Sequence, residues 1–165
     1  MTELVIIAHN IRSTHNIGAI FRTAEGFGVQ RIIISGYSPY PRRDNDDRLP
    51  HIADKITQQI HKTALGAETM VPFTYIETPN LSQLKQDGYH IVGLEQSSRS
   101  HLLPNYTPPA RVALLIGEEV AGITQDLLDQ CDSVIEIPMH GQKESFNVSV
   151  ATGIALYALH YPHKQ

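Results

Sequence analysis

Cysteine occurs once in these 165 residues, at Cys131. A single thiol excludes a disulfide framework and any zinc site built from clustered cysteines, and it suits a reducing cytosol. No apolar run approaches the ~18 residues that a membrane span needs. The opening Met1-Thr2-Glu3-Leu4 has no basic segment ahead of an apolar one, so no signal peptide is expected. Several site signatures are missing as well. No Gly-x-x-x-x-Gly-Lys occurs, which excludes a P-loop, and no Gly-x-Ser-x-Gly, which excludes a hydrolase elbow. Gly26-Phe27-Gly28 begins a dinucleotide fingerprint, but Arg31 stands where the third glycine belongs. The histidines, His9 and His15 among them, lack the pairing of a metal site, so no metal is expected. Cys131 reads as a small buried side chain.

What is present describes one globular domain, expected to span residues 1–165. The chain is 41% hydrophobic and 18% charged, with 11 Gly and 10 Pro. Those figures exclude a disordered tail, a collagen-like fibre and a coiled coil. At this length a chain buries roughly 70% of the surface its unfolded form exposes, enough for a core without staples. The net charge is −4 but unevenly placed: residues 1–62 hold eight Lys/Arg against six Asp/Glu, and the remainder five against eleven. The overall sign argues against a generic nucleic-acid binder, and the basic N-terminal part leaves the partner open.

Apolar runs alternate with helical patterns. Residues 4–8 form a short continuous apolar run, as in a strand covered on both faces. Ile17, Ile20, Phe21, Ala24 and Phe27 follow at helical spacing, with Asn16 expected as the N-cap and Gly28 as the stop. A strand at 32–34 leads into a polar loop over 37–50, long enough that function or mobility is the usual explanation. Ile52, Ile56 and Ile60 mark a second helix. Further strands are expected at 71–76, 90–95, 111–117 and 134–139, with a short helix at 80–87 and another that Thr124 caps. A loop containing Ser97 to Ser100 joins the strands at 90–95 and 111–117. The last helix, from Asn147 to about His160, is apolar nearly all round and must be buried in the core or against another subunit. Such alternation predicts an α/β domain with a mostly parallel sheet flanked by helices.

Three segments carry residues that composition does not explain. The first, Asn10-Ile-Arg12-Ser-Thr-His-Asn16-Ile-Gly18-Ala-Ile-Phe-Arg22-Thr-Ala24, lies where a strand hands over to a helix, the edge at which open α/β sheets bind ligands. The second, Leu114-Leu-Ile-Gly117-Glu118-Glu119-Val-Ala-Gly122, places two like charges at a strand end, which is costly unless one has a partner. Gly117 there permits a ligand to approach the backbone. The third runs from Ile135 through Ile137-Pro138-Met139 and Gly141 to Ser145-Phe146-Asn147, at the mouth of the last helix. Plain capping would account for Ser145 and Asn147 taken alone.

In this order and spacing the segments resemble the three motifs of the SpoU (TrmH-like) RNA 2′-O-ribose methyltransferases of the SPOUT superfamily, over nearly the whole chain. Asn16 and Arg22 match the first motif, Gly117, Glu119 and Gly122 the second, and Ile137-Pro138-Met139 with Ser145 and Asn147 the third. Thr63-Ala64-Leu65-Gly66-Ala67 is similar to a segment common in small members. Phe146 stands where Leu or Met is more usual, and Val120-Ala121 replaces a bulkier or charged pair; both departures touch pocket shape. The RNA-binding extension of larger members is not expected here.

The resemblance implies a SPOUT-type fold with a C-terminal trefoil knot, although chains almost never thread loops. The knot would involve the strands at 90–95, 111–117 and 134–139 and the last helix. It implies a cytoplasmic homodimer, paired through the first and last helices, that acts on tRNA or rRNA and on neither DNA nor a membrane. S-Adenosyl-L-methionine would sit among Leu94, Glu95, Gly117, Ile137, Met139, Ser145, Phe146 and Asn147, its adenine held by backbone groups. Arg22 would act at the ribose 2′-hydroxyl, with Asn16, Glu119, Ser145 and Asn147 orienting it or the ribose. A guanidinium with a pKa above 12 is a poor base. Arg22 better suits a bidentate hold on the adjoining phosphate, with Glu119 beside it, although loss of its proton to that phosphate remains an alternative. The rival reading is a non-catalytic RNA-binding or assembly protein on the same scaffold. A flavodoxin-like small-molecule enzyme would need a phosphate loop that the chain lacks.

Overall fold

A computed structural model describes residues 2–162. In chain order the elements are β1 (Glu3–His9), α1 (Thr14–Gly26), β2 (Arg31–Ser35), α2 (Pro50–Ala64), β3 (Phe73–Ile76) and α3 (Leu81–Gln86). They continue as β4 (His90–Leu94), β5 (His101–Leu102), β6 (Arg111–Ile116), α4 (Gln125–Gln130), β7 (Ser133–Glu136) and α5 (Val148–His160). The seven strands form one sheet in the order β3-β2-β1-β6-β4-β7-β5. Its strand pairs are all parallel.

The continuous apolar run of β1 is explained by its position inside this sheet. Leu4, Ile6 and Ala8 point into a core shared with Ile17, Ile20, Phe21 and Ala24 of α1, Ile60 and Ala64 of α2, and Ala155, Leu156 and Leu159 of α5. Val5 and Ile7 point the other way, into a core with Leu81 and Leu84 of α3 and Leu127 and Leu128 of α4. Strand side chains alternate faces, so a sheet covered on both sides leaves no polar positions in its central strand. Each fully buried Leu, Ile or Phe contributes about 1.5–3 kcal/mol. α1 crosses α2 at Gly18, where a Cβ would lie 2.1 Å from Thr63 Oγ1 and 2.3 Å from the Ile60 carbonyl oxygen.

Four local expectations are corrected. The N-cap of α1 is Ser13, whose side chain accepts from the Asn16 N–H, so Asn16 is already helical and its amide is free for other work. Residues His101–Leu102, within a stretch read as loop, add the edge strand β5. β7 stops at Glu136 instead of continuing to 139, because Pro138 has no N–H to extend a ladder. Thr124 sits at the N-cap of α4 without a side-chain cap bond. In α2 the stripe is deepest toward the C-terminus: Ile60 is buried, Ile56 partly so, and Ile52 is exposed.

The winding positions the site. From β1 the chain adds β2 and β3 outward on one side, then crosses over to β4, and β6 later occupies the place between β1 and β4. The direction of winding therefore reverses at β1 and β6, and ligands of open α/β sheets bind in the crevice beyond the carboxyl ends at such a point. No helix among the described residues is long and apolar enough to cross a membrane.

Candidate active site

β6 ends in a tight turn. The Glu118 N–H donates to the Gly122 carbonyl at 3.2 Å, and the Gly122 N–H returns to the Glu118 carbonyl at 2.9 Å. Both glycines are required there. A Cβ on Gly117 would lie 2.6 Å from the backbone of Gly122, and Gly122 has a φ of +70°. The turn sends Glu118 and Glu119 to different partners. Glu118 is buried; its Oε2 accepts from the Ala121 N–H at 2.7 Å. Its Oε1 lies 3.0 Å from Arg12 Nε, a charge contact off the hydrogen-bond direction. Glu119 accepts from the N–H groups of Arg12 (3.1 Å) and Ser13 (3.2 Å) and from Asn16 Nδ2 (3.0 Å). Burial raises the Glu119 pKa, but these donors outweigh it and the carboxyl sits below the usual range. It lies at the N-terminus of α1, where the helix dipole favours an anion.

α5 enters the same place. Asn147 is its N-cap: Oδ1 accepts from the Ser149 N–H at 2.9 Å, and Nδ2 donates to Asn16 Oδ1 at 3.2 Å. Glu119, Asn16 and Asn147 thus form a hydrogen-bonded chain that ties the end of β6 to the starts of two helices. Thr23 and Gly153 meet further along, so α1 and α5 run side by side from a shared N-terminal end.

Next to this chain opens a cleft of about 250 Å³. Leu94, Ile116, Ile137, Met139 and Phe146 supply apolar walls, and five glutamates at 95, 118, 119, 136 and 144 stand around it. Glu95 is pinned by the Ile123 and Gln96 N–H groups, each at 2.9 Å. Gln96 Nε2 donates to the Glu144 carbonyl at 2.7 Å and fastens the loop before α5 to the end of β4.

Of the residues expected to bind a cofactor, Leu94, Glu95, Gly117, Ile137, Met139, Ser145 and Phe146 line this cleft, and Asn147 stands between the lining residues Phe146 and Val148. Of those expected around the chemistry, Glu119, Asn16 and Asn147 are joined and Ser145 lies on the cleft wall. Arg22 is elsewhere. It is exposed on α1, roughly 9 Å along the axis from Asn16 at 1.5 Å per residue. Among the described residues it has no hydrogen bond or ion pair, so the expected contact with Glu119 is absent; the N–H groups of Arg12 and Ser13, just before α1, and the Asn16 amide satisfy that carboxylate instead. Sequence reasoning missed Arg12, although the costly Glu118-Glu119 pair was the signal that a cation should stand nearby.

A family model described as "SpoU rRNA Methylase family" matches residues 3–157. The chain is 34% identical over 158 residues to the 23S rRNA (guanosine-2′-O-)-methyltransferase RlmB of Coxiella burnetii, covering 93% of this chain and 56% of that protein. It is 32% identical over 157 residues to the tRNA (guanosine(18)-2′-O)-methyltransferase of Aquifex aeolicus, covering 94% and 67%. It therefore spans little more than half the length of the rRNA relative. Among solved structures, an AdoMet-bound rRNA methyltransferase of Sinorhizobium meliloti superposes with a TM-score of 0.78 at 23% identity, covering 94% of this chain and 54% of that one. The TrmH/SpoU tRNA-modifying enzyme of A. aeolicus gives 0.75 at 28%, covering 97% and 75%.

Proposed function

The chain belongs to the SpoU rRNA methylase family, and from that premise we propose that it is a cytoplasmic, homodimeric RNA ribose 2′-O-methyltransferase that uses S-adenosylmethionine and acts on tRNA or rRNA. The observation that carries this reading is the glutamate-rimmed cleft beyond the carboxyl ends of β4, β6 and β7, with the Glu119–Asn16–Asn147 chain at its edge. Its residues fit the cofactor. The apolar walls suit a flat adenine, and the carboxylates suit a sulfonium and an ammonium while repelling any cofactor that carries phosphates. When bound, S-adenosylmethionine supplies an electrophilic methyl group.

What remains for the chain is positioning and charge. The 2′-oxygen must be held in line with the methyl carbon, and such alignment lowers a barrier by several kcal/mol. Orienting the ribose is assigned to the exposed Ser145 on the cleft wall and to the Asn16 and Asn147 amides at its edge, a role that their linkage to Glu119 supports. Arg22 is assigned to the neighbouring phosphate, which its planar fork would hold while stabilising the negative charge on the 2′-oxygen as the O–CH3 bond forms, the S–CH3 bond breaks and the hydroxyl proton passes to that phosphate or to water.

The test uses the purified protein, labelled S-adenosylmethionine, and tRNA and rRNA fractions from a strain lacking the gene. Calorimetry should show micromolar cofactor binding, roughly −8 kcal/mol, and label should appear as a 2′-O-methyl nucleoside in one fraction. RNA binding without any heat from S-adenosylmethionine or its demethylated product would replace this reading with the non-catalytic one.

A further inference from the structure

Arg12 matches none of the motif positions, yet the structure builds it into the site. It follows the end of β1 and precedes α1, and its backbone N–H is spent on Glu119. Its guanidinium rests on Glu118 through Nε, and the two partners differ sharply in exposure: 68% for the Arg12 side chain and 7% for Glu118. A buried carboxylate needs a cation, and here one nitrogen of the fork supplies it. The rest of the guanidinium faces water with the Tyr37 side chain beside it. The Tyr37 backbone is held there, its N–H donating at 3.1 Å to Oδ1 of Asn10, which adopts a φ of +57°. An anchored arginine loses less rotamer freedom on binding an anion than a free one. Its position also matters. The five glutamates around the cleft repel an RNA backbone, so a strand that presents a ribose there needs a fixed cation at the rim.

We propose that Arg12, anchored by Glu118, is a positioning residue that binds a phosphodiester of the RNA strand entering the cleft. This inference rests on the methyltransferase reading and deepens it by naming a point at which the RNA backbone is held. The simpler role for Arg12 is neutralising Glu118, and that role makes a different prediction.

Four proteins decide between them: wild type, Arg12→Ala, Glu118→Gln and the double variant. Calorimetry with S-adenosylmethionine controls for fold and cofactor site. The RNA probe is the tRNA or rRNA fraction that wild type methylates, and kcat, KM and the salt dependence of filter binding are read on it. Arg12→Ala should raise KM by ~10-fold with kcat little changed and flatten the salt slope by roughly one, as loss of a single phosphate contact does. The defect should persist in the double variant. Restoration of wild-type KM in the double variant would overturn the proposal, because neutralisation alone would then account for Arg12. An unchanged KM and salt slope in Arg12→Ala would overturn it as well. Should Arg12→Ala fail to fold, Arg12→Gln, which keeps a polar side chain there without the charge, is read in the same way. If wild type methylates neither fraction, the methyltransferase reading fails by itself, and filter binding of the same fractions still measures the Arg12 contribution.

Discussion

Neighbouring residues of one type do different work when their partners differ, and the end of β6 is an example. Glu119 is held by the two backbone N–H groups that lead into α1 and by an amide, so it organises backbone and needs no cation. Glu118 has one backbone donor and relies on Arg12 for charge. That division leaves Arg22 unclaimed by either carboxylate, exposed on α1 and available to an external anion. If Arg22 acts on the ribose or its phosphate and not on the cofactor, Arg22→Ala should bind S-adenosylmethionine within a few-fold of wild type. Transfer to RNA should fall by ~10² or more, the loss seen when a charge-stabilising donor is removed from an active site. Arg22→Lys should fail largely too, since an ammonium cannot reproduce the planar fork. Single-turnover transfer at saturating cofactor is the measurement, and a near-normal rate in Arg22→Ala would remove Arg22 from the mechanism.

At the scale of elements, the spacing of Ile17, Ile20, Phe21 and Ala24 was enough to place α1 and its buried face, and the unbroken run in β1 was enough to place a covered strand. The cap of α1 was not legible. Ser13 and Asn16 are both good N-caps by type, and the choice depends on Glu119, which is more than a hundred residues away and claims the Asn16 amide. β5 is two residues long and offers no period to read. The cleft was legible as three segments at strand ends, but the Arg12–Glu118 pair was not, because only the sheet order brings β1 next to β6. Gly18 shows how a contact unseen in the sequence fixes a residue. Gly→Ala in a helix gains about 1 kcal/mol of propensity. At Gly18 the added methyl would meet Thr63 Oγ1 and the Ile60 carbonyl oxygen, and overpacking costs about 1–3 kcal/mol. Gly26 ends the same helix with nothing within 4 Å of its missing Cβ. Urea unfolding should show Gly18→Ala below wild type and Gly26→Ala at or above it. Equal midpoints for the two variants would mean that α1 and α2 do not cross this closely.

At the scale of the whole molecule, the described residues leave one of the most apolar elements half covered. α5 buries Thr152, Ala155, Leu156 and Leu159 against the sheet, yet its opposite side carries Val150, Ile154 and Tyr157 at i, i+4 and i+7, with Tyr161 one turn further. Val150 and Tyr157 remain 49% and 60% exposed. Phe27, just past the C-terminal end of α1, extends this stripe, its ring centroid 6.4 Å from that of Tyr157, and Tyr157 and Tyr161 lie 5.3 Å apart. An aromatic stripe spanning two adjacent helices is a poor surface to leave in water, and a twofold pairing covers it with an identical stripe. We expect such a pairing to bring the two N-terminal parts, where basic residues outnumber acidic ones, to one RNA. Light scattering at micromolar concentration should therefore give twice the 18.4 kDa chain mass. Tyr157→Glu places an unpaired carboxylate inside the buried stripe, where desolvation costs several kcal/mol, and should return the mass to that of one chain. Because Tyr157 lies outside the cleft, the separated chain should still bind S-adenosylmethionine, while its affinity for RNA falls as the second basic part is lost. A wild-type mass of 18.4 kDa, or a Tyr157→Glu protein that keeps both the doubled mass and full RNA affinity, would show that α5 is not the surface through which the chain assembles.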